Sequence, residues 1–139
     1  MHWVRRHGRF AIAAAVTACG LAMPASGQKA PLAMLDQLER GRWELRLRDQ
    51  DGSVQTLCLQ DARRLIQLRH PQNICERFVV DDQADDVTVQ YTCRGRGYGR
   101  THIRRESRRL VQIETQGIAA DGLPFNFLAE GRRVGDCPA

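Results

Sequence analysis

Residues 87–93 read Val-Thr-Val-Gln-Tyr-Thr-Cys, and this stretch indicates the fold class more clearly than any other part of the chain. Its odd-numbered positions are apolar and its even-numbered positions are polar. Successive side chains of a β-strand point to opposite faces, so the alternation predicts a strand with one buried face and one exposed face. Trp43, Leu45 and Leu47 alternate with charged residues in the same way, which predicts a second half-buried strand.

Further short strands are predicted on both sides of this stretch, with turn signals between them. Asp51-Gly52 and Ala120-Asp121-Gly122 are residue types that favour tight turns, and Ser107-Arg108 separates two long alternating segments. These further strands comprise residues 54–59, 78–80, 98–106, 109–115 and 125–129, and Val134 can extend the last one.

Two short helices interrupt the strand pattern. Leucines at three-residue steps predict a helix within residues 31–40, and Asp61 is a suitable N-cap for a second helix over residues 62–69. We therefore predict a mainly β fold with a minor α component. It is an antiparallel meander of about six to seven strands, either a curled sheet or a partly closed barrel, with one or two short helices.

The first 27 residues have the layout of a secretory signal peptide. Three arginines in residues 1–9 precede an uncharged, almost wholly apolar stretch and then small residues at 25–27. The apolar stretch is about 16 residues long, shorter than the ~20 residues that a spanning helix needs. We predict cleavage after residue 27, which leaves residues 28–139 as a single disulfide-stapled β domain in the periplasm. Alternatively, the segment around Cys19 resembles a lipobox and predicts a lipoprotein acylated at that residue.

The net charge changes when this segment is removed. The chain has 21 basic and 16 acidic residues, but three basic residues and no acidic ones lie in residues 1–27. The remaining domain is nearly balanced in charge. Binding to nucleic acid requires a clearly basic surface, so we predict no nucleic-acid partner.

The predicted domain contains four cysteines: Cys58, Cys75, Cys93 and Cys137. An even number in an exported chain predicts disulfides, and the lack of a Cys-x-x-Cys motif argues against a zinc site or a redox pair. Four cysteines allow three pairings, which the sequence leaves open. We favour Cys58–Cys75, which would close the second helix. Cys93–Cys137 would then hold the C-terminus to a central strand.

The chain resembles a family of small exported bacterial proteins catalogued as domain of unknown function 3617. The resemblance covers roughly residues 38–137 and follows the order of the four cysteines. Its other motif positions are Gly41, Trp43, Glu44, Gly135 and Asp136. The resemblance implies an envelope location and two disulfides. The family has no established activity, so the resemblance transfers no catalytic residue.

Candidate catalytic groups in the predicted domain are sparse. His70 lies at a predicted helix end, where we expect a capping role, and His102 shares a strand face with Arg100 and Arg104. We expect that face to be solvated, with a general-base role for His102 as the alternative. Ser107 is near His102 in sequence, but the turn between them gives no reason to align the two side chains. We therefore predict no catalytic residue.

Two unusual runs raise ligand hypotheses. Residues 81–86, Asp-Asp-Gln-Ala-Asp-Asp, carry four carboxylates but lack the spacing and the glycine of a calcium-binding EF-hand loop, so we predict a solvated hairpin turn and no metal. Residues 94–100, Arg-Gly-Arg-Gly-Tyr-Gly-Arg, follow a strand but open no helix, so we predict a glycine-rich turn rather than a phosphate loop. Contact with an anionic lipid headgroup is the remaining alternative.

The main large apolar residues are Trp43, Phe78, Tyr91, Phe125 and Phe127. In a curled sheet they could line an apolar cavity, but so small a domain needs them for its own core. We predict a cell-envelope protein that is not an enzyme and has no cofactor: a binding or structural module whose candidate partners are an envelope protein or a lipid. The alternatives are a small periplasmic carrier of an apolar ligand and, third, a minor envelope enzyme.

Overall fold

The computed structural model describes residues 31–48, 51–71 and 74–139. The predicted signal peptide and the candidate lipidation site, Cys19, lie outside the described residues. In chain order the elements are α1 (Ala33–Asp36), β1 (Gly41–Leu47), β2 (Val54–Leu59), a 3₁₀ helix (Ala62–Gln67), β3 (Glu76–Asp82), β4 (Asp86–Thr92), β5 (Tyr98–Ser107), β6 (Leu110–Ile118) and β7 (Pro124–Gly135).

All seven strands belong to one antiparallel sheet in the order β2-β1-β7-β6-β5-β4-β3. The prediction of a mainly β fold with about six to seven strands and one or two short helices is confirmed, and of the two predicted forms the sheet is the curled, unclosed one. Strands β3 to β7 form the meander, and β1 joins it by pairing with β7. The segment containing the 3₁₀ helix takes the chain from β2 at one edge to β3 at the other.

One face of the sheet, which we call the inner face, carries the core. Burial alternates along the central strands as the sequence predicted, and Trp43, Tyr91 and Ile103 are almost completely buried. The two helices pack on this face and contribute Met34, Leu35, Leu65 and Ile66 to the same core. The opposite face, the outer face, is left to solvent.

Both helices are shorter or tighter than predicted. Helix α1 is a single turn, because the backbone of Leu32 is left-handed with φ of 62° and the chain turns toward β1 after Gln37. The second helix is of the 3₁₀ type, and its predicted N-cap is confirmed: the Asp61 carboxylate accepts a hydrogen bond of 2.9 Å from the Arg63 backbone N–H.

A buried hydroxyl pair ties the 3₁₀ helix to the sheet. Thr101 on β5 donates its hydroxyl to the backbone carbonyl of Ile66 at 2.6 Å, and it lies 2.7 Å from the hydroxyl of Thr115 on β6. Buried polar groups must be hydrogen-bonded, and this arrangement satisfies both threonines. The contact fixes where the helix crosses the inner face.

The four cysteines form two disulfides, Cys58–Cys137 and Cys75–Cys93. The pairing that we favoured from sequence is therefore wrong. Cys75 and Cys93 lie directly beyond the paired residues Glu76 and Thr92 of the β3–β4 hairpin. The register of this strand pair brings the two cysteines together, so the disulfide closes the hairpin and not the preceding helix. Cys58 meets Cys137 because β1 pairs with β2 on one side and with the end of β7 on the other.

These bonds also indicate where the domain matures. Two disulfides in so small a domain indicate an oxidising compartment. No helix in the described ranges is long and apolar enough to cross a lipid bilayer.

One predicted core residue lies outside the core. Phe78 is 70% exposed, whereas Trp43, Tyr91 and Phe127 are buried as predicted. The reason is strand register: Phe78 lies across from Gln90 on the outer face, while its neighbours on β3 point inward. The prediction that all five aromatic residues pack in the core is wrong at this position.

The acidic run 81–86 forms the β3–β4 turn as predicted, but it is less solvated than expected. The Asp82 carboxylate accepts a hydrogen bond of 2.9 Å from the backbone N–H of Leu32, and Asp85 pairs with Arg105 on β5. Within the described ranges, no group of acidic, histidine or cysteine residues is arranged to hold a metal ion. Asp86 lies 3.6 Å from the His102 imidazole, and Asp81 accepts a hydrogen bond from the Gln83 amide, so all four carboxylates of this run have partners.

Candidate binding site

The inner face is filled by the two helices. Met34, Leu35, Leu65 and Ile66 are each at most 1% exposed and pack against the aromatic residues of the sheet. A depression of about 240 Å³ remains at one edge of this face, where Leu45, Leu57 and Leu68 line it together with polar side chains. This mixed lining gives little support to the hypothesis of an apolar ligand carried inside the sheet. A binding site has to be sought on the surface.

The outer face carries a row of polar side chains at one level of the sheet. Gln90 on β4 lies across from Arg100 on β5, Arg100 across from Gln116 on β6, and Gln116 across from Asn126 on β7. Directly opposite residues on one face of an antiparallel sheet have neighbouring side chains. We call these four residues the polar row.

The polar row is free of partners inside the protein. Among the described residues, none forms a side-chain hydrogen bond or ion pair with Gln90, Arg100, Gln116 or Asn126. The three amides offer both donors and acceptors, and the guanidinium offers five N–H donors. Four adjacent strands thus present to the solvent, at one level, hydrogen-bonding groups that no described side chain occupies.

A neighbouring glutamine shows the contrast. The side-chain oxygen of Gln112 accepts a hydrogen bond of 2.8 Å from Arg48, and its amide N–H donates to Glu130 at 3.3 Å. The hydrogen bond from Gln112, with a smaller contribution from Arg132, lowers the pKa of the Glu130 carboxyl. The Gln112 side chain is therefore hydrogen-bonded within the protein, whereas the four side chains of the polar row have no such partner among the described residues.

Three adjoining depressions lie along the outer face, and one of them is lined by all four residues of the polar row. Their volumes are about 400, 300 and 270 Å³. The first two share Arg100 and Gln116, and the last two share His102 and Glu114. We call these three adjoining depressions, which follow β5 and β6, the outer groove. Its outward side chains are Arg48, Thr88, Gln90, Tyr98, Arg100, His102, Arg104, Glu106, Gln112, Glu114, Gln116, Asn126 and Leu128.

Aromatic rings stand at the end of the groove where the polar row lies. Tyr98 lines the groove and is 50% exposed, and Phe78 lies across from Gln90 on the edge strand β3. A solvent-facing aromatic ring in a small domain is available to contact a ligand. Exposure of both rings beside the amides of the polar row marks this end of the groove.

The ionic groups elsewhere in the groove are close to opposite charges. The His102 imidazole Nε2 lies 3.6 Å from an Asp86 carboxylate oxygen, and Arg104 lies 3.0 Å from Glu106. His102 also faces Glu114 across the β5–β6 pair. The groove is therefore close to neutral, and Arg100 is a cation with no carboxylate partner among the described residues.

The structure places the predicted polar face as the sequence indicated. His102 shares the outer face with Arg100 and Arg104, as expected from strand alternation. Ser107 lies at the end of β5, where its hydroxyl accepts a hydrogen bond of 3.1 Å from the Arg109 backbone N–H. Ser107 is thus occupied in the β5–β6 turn and does not join His102.

His70 has a different role from the predicted cap. Its side chain is 1% exposed, with Nδ1 3.1 Å from the Tyr91 hydroxyl and its ring 6.0 Å from that of Phe125. Its other nitrogen has no hydrogen-bond partner among the described residues. Burial raises the pKa of Tyr91 to about 12, and the nearby Arg69 opposes this shift. The expected capping by the imidazole is wrong, because the side chain turns into the core.

Residues 94–97 of the glycine-rich run form the predicted turn, and residues 98–100 begin β5. Gly95 and Gly97 have φ values of 67° and 94°, in the left-handed region that favours glycine. A Cβ on Gly97 would lie 2.0 Å from the carbonyl oxygen of Ile118, so that position admits glycine alone. These residues shape the β4–β5 connection next to the groove.

The residues that carry the family resemblance meet at one corner of the sheet. Gly41, which opens β1, approaches Gly135 at the end of β7, and a Cβ on Gly41 would lie 2.4 Å from the Gly135 carbonyl oxygen. The Trp43 indole is buried and donates to the Glu39 carbonyl at 2.9 Å. Asp136 accepts a hydrogen bond from Arg133. These contacts are structural.

The remaining members of that set belong to the same corner. Glu44 is half-buried and lies across from Thr56 on one side and from Arg132 on the other. The Cys58–Cys137 disulfide closes the corner just beyond Gly135 and Asp136. The motif therefore marks the junction of β2, β1 and the last residues of β7, whereas the polar row meets β7 near its start.

A separate depression, of about 310 Å³, lies away from the outer groove, between α1 and the 3₁₀ helix. Three of its charged side chains are already paired with one another, since Arg63 bonds to Asp36 and lies 3.6 Å from Asp61. The hydrogen bond from Arg63 holds the pKa of the Asp36 carboxyl below its usual value. This depression offers a ligand less unsatisfied polarity than the outer groove does.

Comparison of the sequence with models of known protein families and with curated proteins finds no match. The function of the groove is therefore argued from its geometry.

Sequence reasoning missed the three amides of the polar row. Gln90 and Asn126 occupy polar positions of predicted strands, so their outward direction was readable from the sequence, whereas Gln116 lies one residue beyond the predicted end of its strand. Their alignment depends on the register of three strand pairs, which the alternation alone does not supply.

Proposed function

We propose that this chain is an exported, non-enzymatic binding module of the periplasm that holds a cell-envelope partner in its outer groove. The two disulfides and the predicted signal peptide support export. The resemblance to domain of unknown function 3617 supports an envelope location. Lipidation at Cys19 would add a membrane tether without changing the groove, which is built by the central strands.

The observation that carries this proposal is the unpartnered polar row. Hydrogen-bonding groups on a sheet surface usually bond to one another or to water. Four of them aligned across β4 to β7, beside an exposed ring, offer a ligand several hydrogen bonds at one level. Rigid strands hold these groups in place, so binding requires little ordering of the backbone.

The openness of the groove favours binding over catalysis. Electrostatic catalysis depends on donors held in a site that excludes water. His102 instead has a side chain that is 40% exposed, beside an Asp86 carboxylate that is 37% exposed. These groups suit reversible contact with a polar ligand.

Co-sedimentation of the full chain with purified envelopes from its native cells tests the proposal. The groove variant combines Arg100→Ala with Gln116→Ala. The matched control combines Arg46→Ala on the outer face of β1 with Gln55→Ala on β2, both exposed and outside the groove. We expect the groove variant to bind envelopes at least about tenfold more weakly, since two hydrogen-bonding side chains are lost.

The control variant should bind as the wild-type chain does. Equal envelope binding by the groove variant and the wild type would show that the groove is not the binding surface. Circular dichroism of both variants verifies that the sheet is intact, which is expected because all four positions are solvent-facing strand sites.

A further inference from the structure

We propose that the outer groove binds a linear, uncharged polysaccharide that carries hydroxyl and acetamido groups, and that the polar row recognises the acetamido groups. This inference rests on the proposed function, because it names the ligand class of the same groove. It is argued from the chemistry of the row, the charge of the groove and the shape of the face.

The chemistry of the polar row matches such a ligand. Gln90, Gln116 and Asn126 each present a carbonyl oxygen and an NH₂ group, so each can donate and accept at the same time. A hydroxyl group and an acetamido group also donate and accept, so they can satisfy both functions of one amide. Arg100 adds donors for a carbonyl or ring oxygen.

The charge of the groove disfavours a polyanion. A nucleic acid or a phosphorylated polymer binds through an excess of Lys and Arg side chains. Here Arg104 is paired with Glu106, and His102 lies between Asp86 and Glu114. A neutral polymer brings no charge that would compete for these partners, so the ion pairs can stay intact when it binds.

The surroundings of the polar row disfavour a lipid and a peptide. A lipid chain needs an apolar surface, whereas the outward lining contains only Leu128 and Tyr98 as large apolar groups. Peptides are commonly recognised by pairing with a sheet edge or by an apolar helix groove. The polar row instead lies on the face of the sheet, and the exposed rings of Phe78 and Tyr98 can stack on the C–H face of a sugar.

The length of the groove fits a chain of several sugars. It runs along β5 from Tyr98 to Glu106, which at ~3.3 Å per residue is roughly 26 Å. Each depression shares two side chains with the next, so an extended polymer can contact all three at once.

Calorimetric titration of the full, exported chain with three soluble probes tests the inference. The probes are an N-acetylglucosamine hexamer, a glucose hexamer and heparin. We expect the N-acetylglucosamine hexamer to bind about tenfold more tightly than the glucose hexamer, a difference of ~1.4 kcal/mol. Heparin should bind more weakly than either, because the groove is close to neutral.

Single variants identify the recognising groups. Gln116→Ala should weaken binding of the N-acetylglucosamine hexamer about tenfold and reduce its advantage over the glucose hexamer. Tyr98→Ala should weaken both neutral hexamers alike, because stacking does not depend on the acetamido group. The matched control Gln55→Ala should leave all three affinities unchanged.

Three results would overturn the inference: no binding of either neutral hexamer, binding of the N-acetylglucosamine hexamer that is unaffected by Gln116→Ala, or tightest binding of heparin. The envelope assay separates this failure from that of the proposed function. If the groove variant still loses envelope binding while the hexamers do not bind, the groove is a binding site for another class of ligand. If envelope binding is independent of the groove, both proposals fail.

Discussion

At the scale of single residues, Gly41 shows why one corner of the sheet tolerates no side chain. Its φ of 141° lies in a region that residues with a Cβ rarely adopt, and a Cβ at this position would meet the Gly135 carbonyl oxygen at 2.4 Å. The backbone of β1 therefore approaches β7 only because this residue is glycine. The sequence marked Gly41 as part of a motif, and the structure supplies the steric reason.

We expect Gly41→Ala to lower the free energy of unfolding by about 2–3 kcal/mol, through backbone strain and steric overlap. The matched control is Gly52→Ala, where φ is also positive but nothing lies within 4 Å of the added Cβ. That change should cost only about 1 kcal/mol. Urea denaturation of both variants measures the difference, and equal losses would show that the close approach to Gly135 is not tight.

Ionisation of the buried Tyr91 makes the stability of the fold depend on pH. Burial raises its pKa from 10.0 to about 12 in the folded protein. The unfolded chain therefore loses this proton first as the pH rises, and ionisation favours unfolding. The stabilisation is complete below pH 10 and is lost as the pH rises toward the folded pKa.

We expect the free energy of unfolding to fall by about 1.4 kcal/mol per pH unit from this residue between roughly pH 10 and 12. Tyr91→Phe removes the ionising group, so the variant should lack that part of the slope. Denaturation curves at about pH 9 and about pH 11 for both proteins give the two slopes. If the free energy of unfolding depended on pH equally in the wild type and in Tyr91→Phe, the buried, protonated state of Tyr91 would be contradicted.

At the scale of elements, alternation predicted the strands but not how they pair. Residues 87–93 have the predicted strand face, with Val87, Val89 and Tyr91 all buried. Phe78 was assigned to the core on residue type alone, yet the register of β3 against β4 points it outward. A β-bulge between Val79 and Asp81 shifts the register again. Such offsets arise from the pairing of two chain segments and leave no mark in a local pattern.

The candidate site depends on elements in the same way. Arg100, His102 and Arg104 were placed on one face from the sequence, because they lie on one strand. The amides of the polar row come from β4, β6 and β7, and only the register of those strands with β5 brings them level. The sequence therefore predicted the side chains that β5 contributes to the groove. It did not predict those that β4, β6 and β7 contribute.

At the scale of the whole molecule, the disulfides hold together parts of the chain that are distant in sequence. Cys58–Cys137 spans 79 residues and joins β2 to the end of the chain, whereas Cys75–Cys93 spans 18 residues within one hairpin. Because a longer closed loop restricts the unfolded chain more, the first bond should stabilise the domain more than the second.

We expect Cys58→Ser with Cys137→Ser to lower the free energy of unfolding by roughly 4.5 kcal/mol, and Cys75→Ser with Cys93→Ser by roughly 3 kcal/mol. Thermal or urea denaturation of the two double variants measures both values. Peptide mapping without reduction verifies the pairing directly. Linked peptides containing Cys58 and Cys75 would contradict the structure, and an equal or reversed order of stability would contradict the loop-length argument.

The sequence by itself determined the mainly β class, the approximate number of strands, the cap at Asp61 and the presence of two disulfides. These follow from local alternation, turn residues and cysteine count, which are properties of neighbouring positions. Only the tertiary structure decided which cysteines pair, that Phe78 faces solvent and that four strands align the polar row. Those outcomes depend on β1 pairing with both β2 and β7 and on the register of each strand pair. Contacts between residues far apart in the chain set the strand pairing and the register. No local sequence pattern encodes those contacts.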